Sequence, residues 1–255
     1  MARLYIGLSG YSYKPWQGEG RFYPVGLKQS KFLEFYTGRY NAVEMDGTWY
    51  KAPTEAAVAQ WRDGVPDDFK FSFKMHRKVS HLSRLKPDCF EFAHFNVKRL
   101  YPLALAGKLG PVLLQLPPNL KRDDARLTAF LEAMPKNFSQ VQGLEDGEPV
   151  PIRWAVEFRH ASWNCDDVAS ILSDHQVGWV ASDRDEERAI LRDTSDFLYA
   201  RLRRVDTDEA ALDKWSATFA GFLEQGKSCY VYCKHEDEGS PWIWADYLLS
   251  KFSHS

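Results

Sequence analysis

Eight strand-like segments recur along the chain, and helix-like segments lie between most of them. The strand-like segments occupy residues 4–10, 41–47, 69–76, 110–117, 152–160, 177–183, 197–204 and 229–236. Strands that alternate with helices pair in parallel through right-handed crossovers, and eight such units in 255 residues fit a closed barrel. We therefore predict an α/β fold: one (β/α)8 TIM barrel with parallel strands and outer helices, forming a single domain over residues 1–255.

The helix-like segments carry start and stop signals that support this alternation. They occupy residues 30–40, 53–63, 87–107, 122–135, 165–175, 208–226 and 240–252. Ser30 is a possible N-cap and Pro53 opens its segment, as helix capping favours. After the sixth strand, residues 184–193 offer only a short and very polar helix candidate. A doubly wound open sheet is the alternative, which eight repeats and the absence of a GxGxxG turn disfavour.

Composition and charge indicate which class of protein this chain belongs to, but they do not indicate a reaction. The net charge is -2 at pH 7, so no overall basic field attracts the chain to nucleic acid or a membrane. No long apolar run suggests a signal peptide or a membrane helix, which predicts a cytoplasmic protein without a membrane partner. Cys229 and Cys233 are four positions apart in a strand, roughly 13 Å, too far for a disulfide. We expect Cys89, Cys165 and these two to be reduced thiols.

Polar side chains alternate with apolar ones late in the predicted strands. In the fifth strand, Glu157 and Arg159 share one face, and Val156 and Phe158 share the other. Because the helix layer takes the apolar face, we predict that the polar face points into the barrel at its C-terminal mouth, where barrel enzymes build their sites. The residues assigned to this face are Ser9, Glu44, Lys74, His76, Gln115, Glu157, Arg159, Asp183, Arg201 and Lys234.

This face mixes carboxylates with a larger number of cations. Burying such charges costs several kcal/mol each unless they are paired. A structural ion network that neutralises itself is one interpretation, and a ligand site is the other. We favour the ligand site, because charges from so many strands converge on one mouth.

Several stretches of this chain resemble the domain of unknown function 72 family, also called YecE-like proteins. They are "GLSGYSYKPWQGEGRFYP", "YNAVEMDGTWYKAPTEAAVAQW", "FKFSFKMHRKVSH", "GPVLLQLPPNL" and "AVEFRHASW". The resemblance implies a TIM barrel and no established reaction. This chain departs from the commoner family pattern at "RLRR" and "CKHEDEG". These stretches contain Arg203, Lys234 and His235, and they indicate more positive charge at the mouth.

The resemblance and the alternation together give a set of candidate site residues. The candidate catalytic residues are Glu157, Glu44 and Asp183. The candidate substrate-binding residues are Ser9, Tyr11, Trp16, Lys74, His76, His81, Gln115, Arg159, His160, Trp163, Arg201 and Lys234. No metal ligand and no cofactor are assigned.

The cations favour an anionic ligand, because Arg makes bidentate contacts with phosphate. We expect a small phosphorylated ligand or a nucleic acid, with hydrolysis of a phosphoester as one outcome. In that case Glu157 or Glu44 would serve as general base and a histidine as acid. Tyr11, Trp16, Trp49 and Trp163 are candidates to stack bases.

Three other functions remain open. Glu44 and Glu157 could form the carboxylate pair of a glycosidase, although the cations count against it. A metal-dependent hydrolase is a weaker alternative, because His76 and His81 have no standard ligand spacing. A non-catalytic ligand sensor would need the same charged pocket. The sequence shows no Ser-His-Asp order, GxSxG motif, P-loop or dinucleotide fingerprint.

Overall fold

The computed structural model contains the eight predicted strands in a closed barrel. It describes residues 2–184, 189–204, 206–234 and 240–252. The strands are β1 (Leu4–Ser9), β2 (Ala42–Met45), β3 (Lys70–Lys74), β4 (Leu109–Gln115), β5 (Trp154–Glu157), β6 (Gly178–Ser182), β7 (Phe197–Leu202) and β8 (Ser228–Cys233). They follow one another around the barrel in chain order, and the pairs with a defined register are parallel. The predicted α/β barrel is therefore confirmed.

Helices connect most of the strands. They are α1 (Phe32–Thr37), α2 (Glu55–Asp63), α3 (Phe90–Lys98), α4 (Tyr101–Leu105), α5 (Asp124–Ala133), α6 (Asp166–Asp174), α7 (Glu209–Glu224) and α8 (Pro241–Phe252). Side chains of Thr54, Asp123 and Asp208 cap α2, α5 and α7 by accepting a backbone N–H three residues ahead.

Some helix boundaries differ from the sequence prediction. Residues 87–107 form two helices, because Pro102 has no N–H to donate and its ring crowds the preceding turn. Helix α2 begins at Glu55, after its N-cap Thr54, rather than at Pro53. Ser30 lies inside a short 3₁₀ turn and does not cap α1. Residues 189–193 are not helical, and residues 185–188 of the same predicted helix lie outside the described part.

The chain divides into two compact units. The first unit comprises Met1–Glu44, Ala181–Leu191 and Asp196–Ser255. In it, β1 pairs with β2 and β8, and β8 pairs with β7. Helix α8 packs on β1 and β8, and α7 packs on β7 and β8. The helix-facing apolar side chains of these strands are therefore covered.

The second unit comprises Met45–Val180 and Arg192–Ser195. In it, β4 lies between β3 and β5, and β5 pairs with β6. Phe71 and Phe73 of β3 pack against Trp61 of α2. This contact shows that the Phe-rich face of β3 is the helix-facing one. Lys74, next in the chain to Phe73, therefore has its side chain on the opposite face.

Candidate ligand-binding site

Strands β1, β2 and β7 bring three of the predicted site residues together in the first unit. The parallel register places Ser9 beside Glu44. The Ser9 hydroxyl donates to Oε1 of Glu44 at 2.5 Å, and Nη2 of Arg201 donates to the same oxygen at 2.7 Å. The Tyr199 hydroxyl donates to Oε2 at 2.7 Å. Glu44 and Arg201 thus share a face, as the alternation predicts, while their role in a ligand site stays a prediction.

Glu44 and Arg201 form a fully buried ion pair. Both Glu44 oxygens accept hydrogen bonds, which offsets part of the desolvation cost of a buried carboxylate. Burial raises the pKa of the Tyr199 hydroxyl well above its usual value, and the nearby Glu44 raises it further, so Tyr199 stays a donor.

Asp183 lies on the helix-facing side of the first unit. Its Oδ1 accepts the backbone N–H of Arg203 at 2.5 Å, and its Oδ2 accepts the indole N–H of Trp215, in α7, at 3.3 Å. Burial raises the pKa of this carboxyl. The inward orientation predicted for Asp183 is therefore wrong, because its carboxylate instead ties the end of β6 to β7 and α7.

In the second unit, a pair of hydrogen bonds fixes Glu157. The register of β4 and β5 places Gln115 beside Glu157. Nε2 of Gln115 donates to Oε2 of Glu157 at 2.9 Å, and Nε of Arg159 donates to Oε1 at 2.8 Å. Side-chain exposure is 3% for Glu157 and 16% for Arg159, so the carboxylate is the buried partner and the guanidinium is nearer the surface.

Lys74, at the end of β3, is held by the turn that follows β2. Residues Asp46–Trp49 form a 3₁₀ turn. Nζ of Lys74 lies 3.0 Å from Oδ1 of Asp46 and 5.2 Å from the ring centroid of Trp49. The carboxylate and the aromatic face both favour the charged ammonium. Lys74 is therefore a nearly buried cation with a fixed position.

His81 lies on a π-helical turn, Lys78–Leu82, that follows β3. Its Nδ1 is 2.8 Å from the Ser80 hydroxyl, and its ring is 5.0 Å from the Trp49 ring, edge to face. Burial and then the three neighbouring cations Lys74, Arg159 and Arg84, in that order of effect, together lower the pKa of His81 to about 4. We call Lys74, His81, Arg84 and Arg159 the His81 cluster.

The other two predicted histidines make local backbone contacts. Nδ1 of His76 accepts the N–H of Lys78 at 3.1 Å, so Nε2 carries the proton and donates to the Tyr50 carbonyl at 3.0 Å. Burial lowers the pKa of His76. Nδ1 of His160 accepts the N–H of Ser162 at 3.1 Å and caps a 3₁₀ turn. Both rings thus connect and shape loops at the ends of strands.

The aromatic side chains predicted to stack bases are largely covered. Trp163 is 1% exposed and donates its indole N–H to the Leu120 carbonyl at 2.7 Å. Trp16 is buried against Trp242 and other rings. Trp49 has Lys74 and the guanidinium of Arg77 against its ring.

Two further predicted residues lie at strand ends in the first unit. Tyr11 is half-buried near Tyr36, with the ring centroids 6.3 Å apart. Lys234 is half-buried directly after β8, and its N–H donates to the Leu202 carbonyl at 2.8 Å. His235 lies outside the described residues.

Sequence reasoning missed two cations beside Trp49 and His81. Arg77 and Arg84 follow β3 in the chain, where the strand alternation no longer applies. The sequence could have indicated Arg77, because it lies in "KMHRK", where basic residues continue after Lys74. Arg84 carries no such signal, because its position depends on the π-helical turn before it.

The described residues contain neither a metal-binding cluster nor a membrane-spanning helix. Among residues 2–184, 189–204, 206–234 and 240–252, no group of three or more His, Cys, Asp or Glu side chains could hold a metal ion. Over the same ranges, no helix combines the length and the apolar character needed to cross a bilayer.

Comparisons with known proteins give a family match over nearly the whole chain. A family model described as "Protein of unknown function DUF72" matches residues 5–255. The UPF0759 protein YecE of Escherichia coli K12 is 32% identical over 137 residues, which cover 53% of this chain and 46% of that protein. The UPF0759 protein YunF of Bacillus subtilis is 26% identical over 164 residues, 63% of this chain and 52% of that protein. The chain thus spans about half the length of these curated relatives.

Solved structures of similar fold belong to the same family. A DUF72 family protein of Thermotoga maritima superposes with a TM-score of 0.78 at 24% identity, covering 98% of this chain and 99% of that one. A DUF72 family protein of Enterococcus faecalis superposes with a TM-score of 0.73 at 16% identity, covering 100% and 99%. At these identities, the similarity concerns the fold alone.

Proposed function

Because the chain belongs to the DUF72 family, described as proteins of unknown function, we propose its function from its own side chains. The His81 cluster binds the phosphoryl group of a small anionic ligand. The observation that carries this proposal is the way Glu157 holds Arg159.

Arg159 is held by one nitrogen of its guanidinium. Its Nε donates to the buried Glu157 at 2.8 Å, and Gln115 fixes the other oxygen of the same carboxylate. This arrangement leaves the terminal nitrogens Nη1 and Nη2 as a pair of donors. A planar pair of N–H donors on a positioned guanidinium matches two oxygens of a phosphoryl group.

The charges around this guanidinium favour an anion. Arg159, Lys74 and Arg84 all act on His81, and Arg77 lies against the same Trp49 ring as Lys74. These four cations are opposed by the carboxylates of Asp46 and Glu157, which pair with Lys74 and Arg159. Among these six side chains, four cations and two carboxylates sum to a formal charge of +2, which favours an anionic ligand such as phosphate.

His81 and Trp49 supply neutral donors to the same region. With a pKa of about 4, His81 is uncharged at neutral pH. When the Ser80 hydroxyl donates to Nδ1, the N–H at Nε2 is available to a ligand oxygen. The buried indole N–H of Trp49 has no hydrogen-bond partner among the residues that the structure describes. Unpaired buried donors are costly, and an anion would satisfy this one.

The two glutamates support binding better than glycoside hydrolysis. Every carboxylate oxygen of Glu44 and Glu157 accepts a hydrogen bond from a side chain. Both carboxylates are almost completely buried. A glycosidase needs one carboxyl group to donate a proton and another to attack or to activate water. These residues instead act as supports for the arginines beside them.

A small phosphorylated ligand fits better than a nucleic acid. Trp16 and Trp163 are buried, and cations lie against Trp49, so these rings offer no open face for a row of bases. Tyr50 is the exposed aromatic residue next to Trp49, with 67% exposure. One exposed ring beside one cation cluster is suited to a single phosphorylated molecule.

The proposal is tested by calorimetric titration of the protein with inorganic phosphate, sugar phosphates, the matching neutral sugars and a short oligonucleotide. We expect phosphate compounds to bind and neutral sugars not to bind. Arg159→Gln should weaken phosphate binding at least about tenfold, because a good charge-assisted contact contributes roughly 1.5–3 kcal/mol. Release of inorganic phosphate from a bound ester would extend the proposal to hydrolysis.

Arg62→Gln is the matched control. Arg62 belongs to the same unit and also pairs with a carboxylate, Asp63, but at the far end of α2 and partly exposed. It should leave phosphate binding unchanged. Equal affinity of wild type and Arg159→Gln for phosphate would contradict the proposal. If only the oligonucleotide binds tightly, with an affinity that falls steeply with salt, the ligand is a nucleic acid rather than a small phosphorylated molecule.

A further inference from the structure

The loop after the π-helical turn contains two successive residues in the left-handed backbone region. Arg84 has φ of 52° and Leu85 has φ of 63°. This region is unfavourable for residues with a Cβ atom, and glycine or asparagine adopts it more readily. Such conformations persist when the surrounding structure holds them, and they gather at functional sites.

The neighbours of Arg84 fix this turn. Leu85 is buried, and its N–H donates to the Val79 carbonyl at 3.0 Å. The N–H of Ser83 donates to the Lys78 carbonyl at 2.8 Å, and the Ser83 hydroxyl donates to Asp88 at 2.7 Å. These contacts involve the residues on either side of Arg84. The turn therefore does not depend on an arginine side chain at this position.

The Arg84 side chain makes one long hydrogen-bond contact within the part of the chain that the structure describes. It is half-exposed, and its Nη2 lies 3.4 Å from Oδ1 of Asn119, in the exposed loop after β4. That distance is long for an N–H···O hydrogen bond. The guanidinium is thus a weakly held cation near the ends of β3 and β4, on the same loop as His81.

We propose that Arg84 is a ligand-binding residue of the His81 cluster, and that its strained backbone is kept because it places the guanidinium against the bound phosphoryl group. This inference rests on the proposed function, since it assigns a further contact to the same ligand. A loop that needed only to turn at this point would be better served by glycine or asparagine. The effect of Arg84 on the pKa of His81 agrees with the placement.

Gln176 provides an internal comparison. It is the other described non-glycine residue with positive φ, 56°, and it lies in the same unit, just after α6. Its N–H donates to the Ser173 carbonyl at 3.0 Å, which ends the helix. The same backbone strain occurs there as part of a helix terminus, where left-handed residues are common.

The test compares Arg84→Asn with Gln176→Asn. Asparagine tolerates the left-handed region, so each change should raise Tm, by about 1–3 °C in a chain of this size. Arg84→Asn should also raise the Kd for inorganic phosphate at least about tenfold, and Gln176→Asn should leave it unchanged. Arg84→Lys keeps the charge and the strain, so we expect a wild-type Tm and an intermediate Kd.

Different outcomes identify which idea fails. If Arg159→Gln loses phosphate binding and Arg84→Asn binds as wild type does, the proposed function stands and the role of Arg84 is wrong. If Arg84→Asn lowers Tm while Gln176→Asn raises it, Arg84 supports the loop and the inference is also overturned. If wild type binds no phosphate compound, both proposals fall together.

Discussion

His81 is the side chain through which ligand binding should be observed most directly. Its pKa is lowered to about 4 by burial and by the cations Lys74, Arg159 and Arg84. A bound phosphate would offset those cations, so the pKa of His81 should rise from about 4 toward its ordinary value of 6.5. NMR titration of labelled histidine, with and without saturating phosphate, measures both values. Linkage then requires protonation of His81 to favour phosphate binding as the pH falls through this range, while protonation of the phosphate dianion, whose second pKa is about 6, acts in the opposite direction.

The Arg159→Gln variant is the control for that titration. Removing one cation should raise the pKa of His81 in the free protein and reduce the further rise on adding phosphate. A His81 pKa that does not respond to saturating phosphate in wild type would mean that the ligand binds elsewhere. The change in pKa thus reports the location of the anion, which affinity alone does not.

At the scale of single residues, the sequence predicted the strand positions better than the loop positions. Alternation along β2 and β7 put Glu44 and Arg201 on one face, and the structure joins them. The same rule would have placed Asp183 correctly, because it has the parity of Trp179, whose ring packs against Phe158 on the helix side. Arg84 follows no such period, since its direction depends on a left-handed turn that the sequence does not signal.

At the scale of elements, the Glu44–Arg201 pair joins β2 to β7 inside the first unit. Arg201→Met should destabilise the protein by about 3–5 kcal/mol, because it leaves the Glu44 carboxylate buried without its cation. The double variant Glu44→Gln/Arg201→Met removes both charges and should recover much of that loss. Denaturant unfolding of the two variants measures the difference.

Arg62→Met is the control for the buried pair, since the Arg62–Asp63 ion pair is partly exposed. It should change the free energy of unfolding little, as exposed ion pairs generally do. If Arg201→Met is as mild as Arg62→Met, Glu44 has taken up a proton to remain buried, and its charge is not essential to the fold. If the double variant is no more stable than Arg201→Met, the loss of stability comes from lost packing rather than from the unpaired charge.

Element order was predictable because strands and helices alternate with different periods of hydrophobicity. The boundaries of the elements were less predictable, because they depend on local chemistry such as the Pro102 break between α3 and α4 and the Thr54 cap of α2. The helix-facing side of each strand could be read from large apolar residues such as Phe71 and Phe73. The candidate site was therefore predictable where strands carry it, and only partly where loops do.

At the scale of the whole molecule, the perturbed histidines predict how stability depends on pH. The pKa values of His81 and His76 are lower in the folded protein than their ordinary 6.5. Between pH 6.5 and about 4, the unfolded chain therefore binds protons that the folded protein does not, and the free energy of unfolding falls as the pH falls. The raised pKa of Asp183 acts in the opposite direction, at the acid end of this window.

His81→Gln isolates one part of this dependence. Glutamine cannot be protonated, so the fall in stability between pH 6.5 and pH 4 should be smaller than in wild type. The difference should be on the order of 1 kcal/mol, because His81 is partly exposed and solvent weakens the effect. Urea unfolding at several pH values, without phosphate, gives the two curves. Parallel curves would show that His81 titrates alike in the folded and unfolded chains, and the cations placed around it would then have little effect on its charge. A smaller slope in the variant would instead show that the fold gives up acid stability to keep the His81 imidazole neutral among these cations.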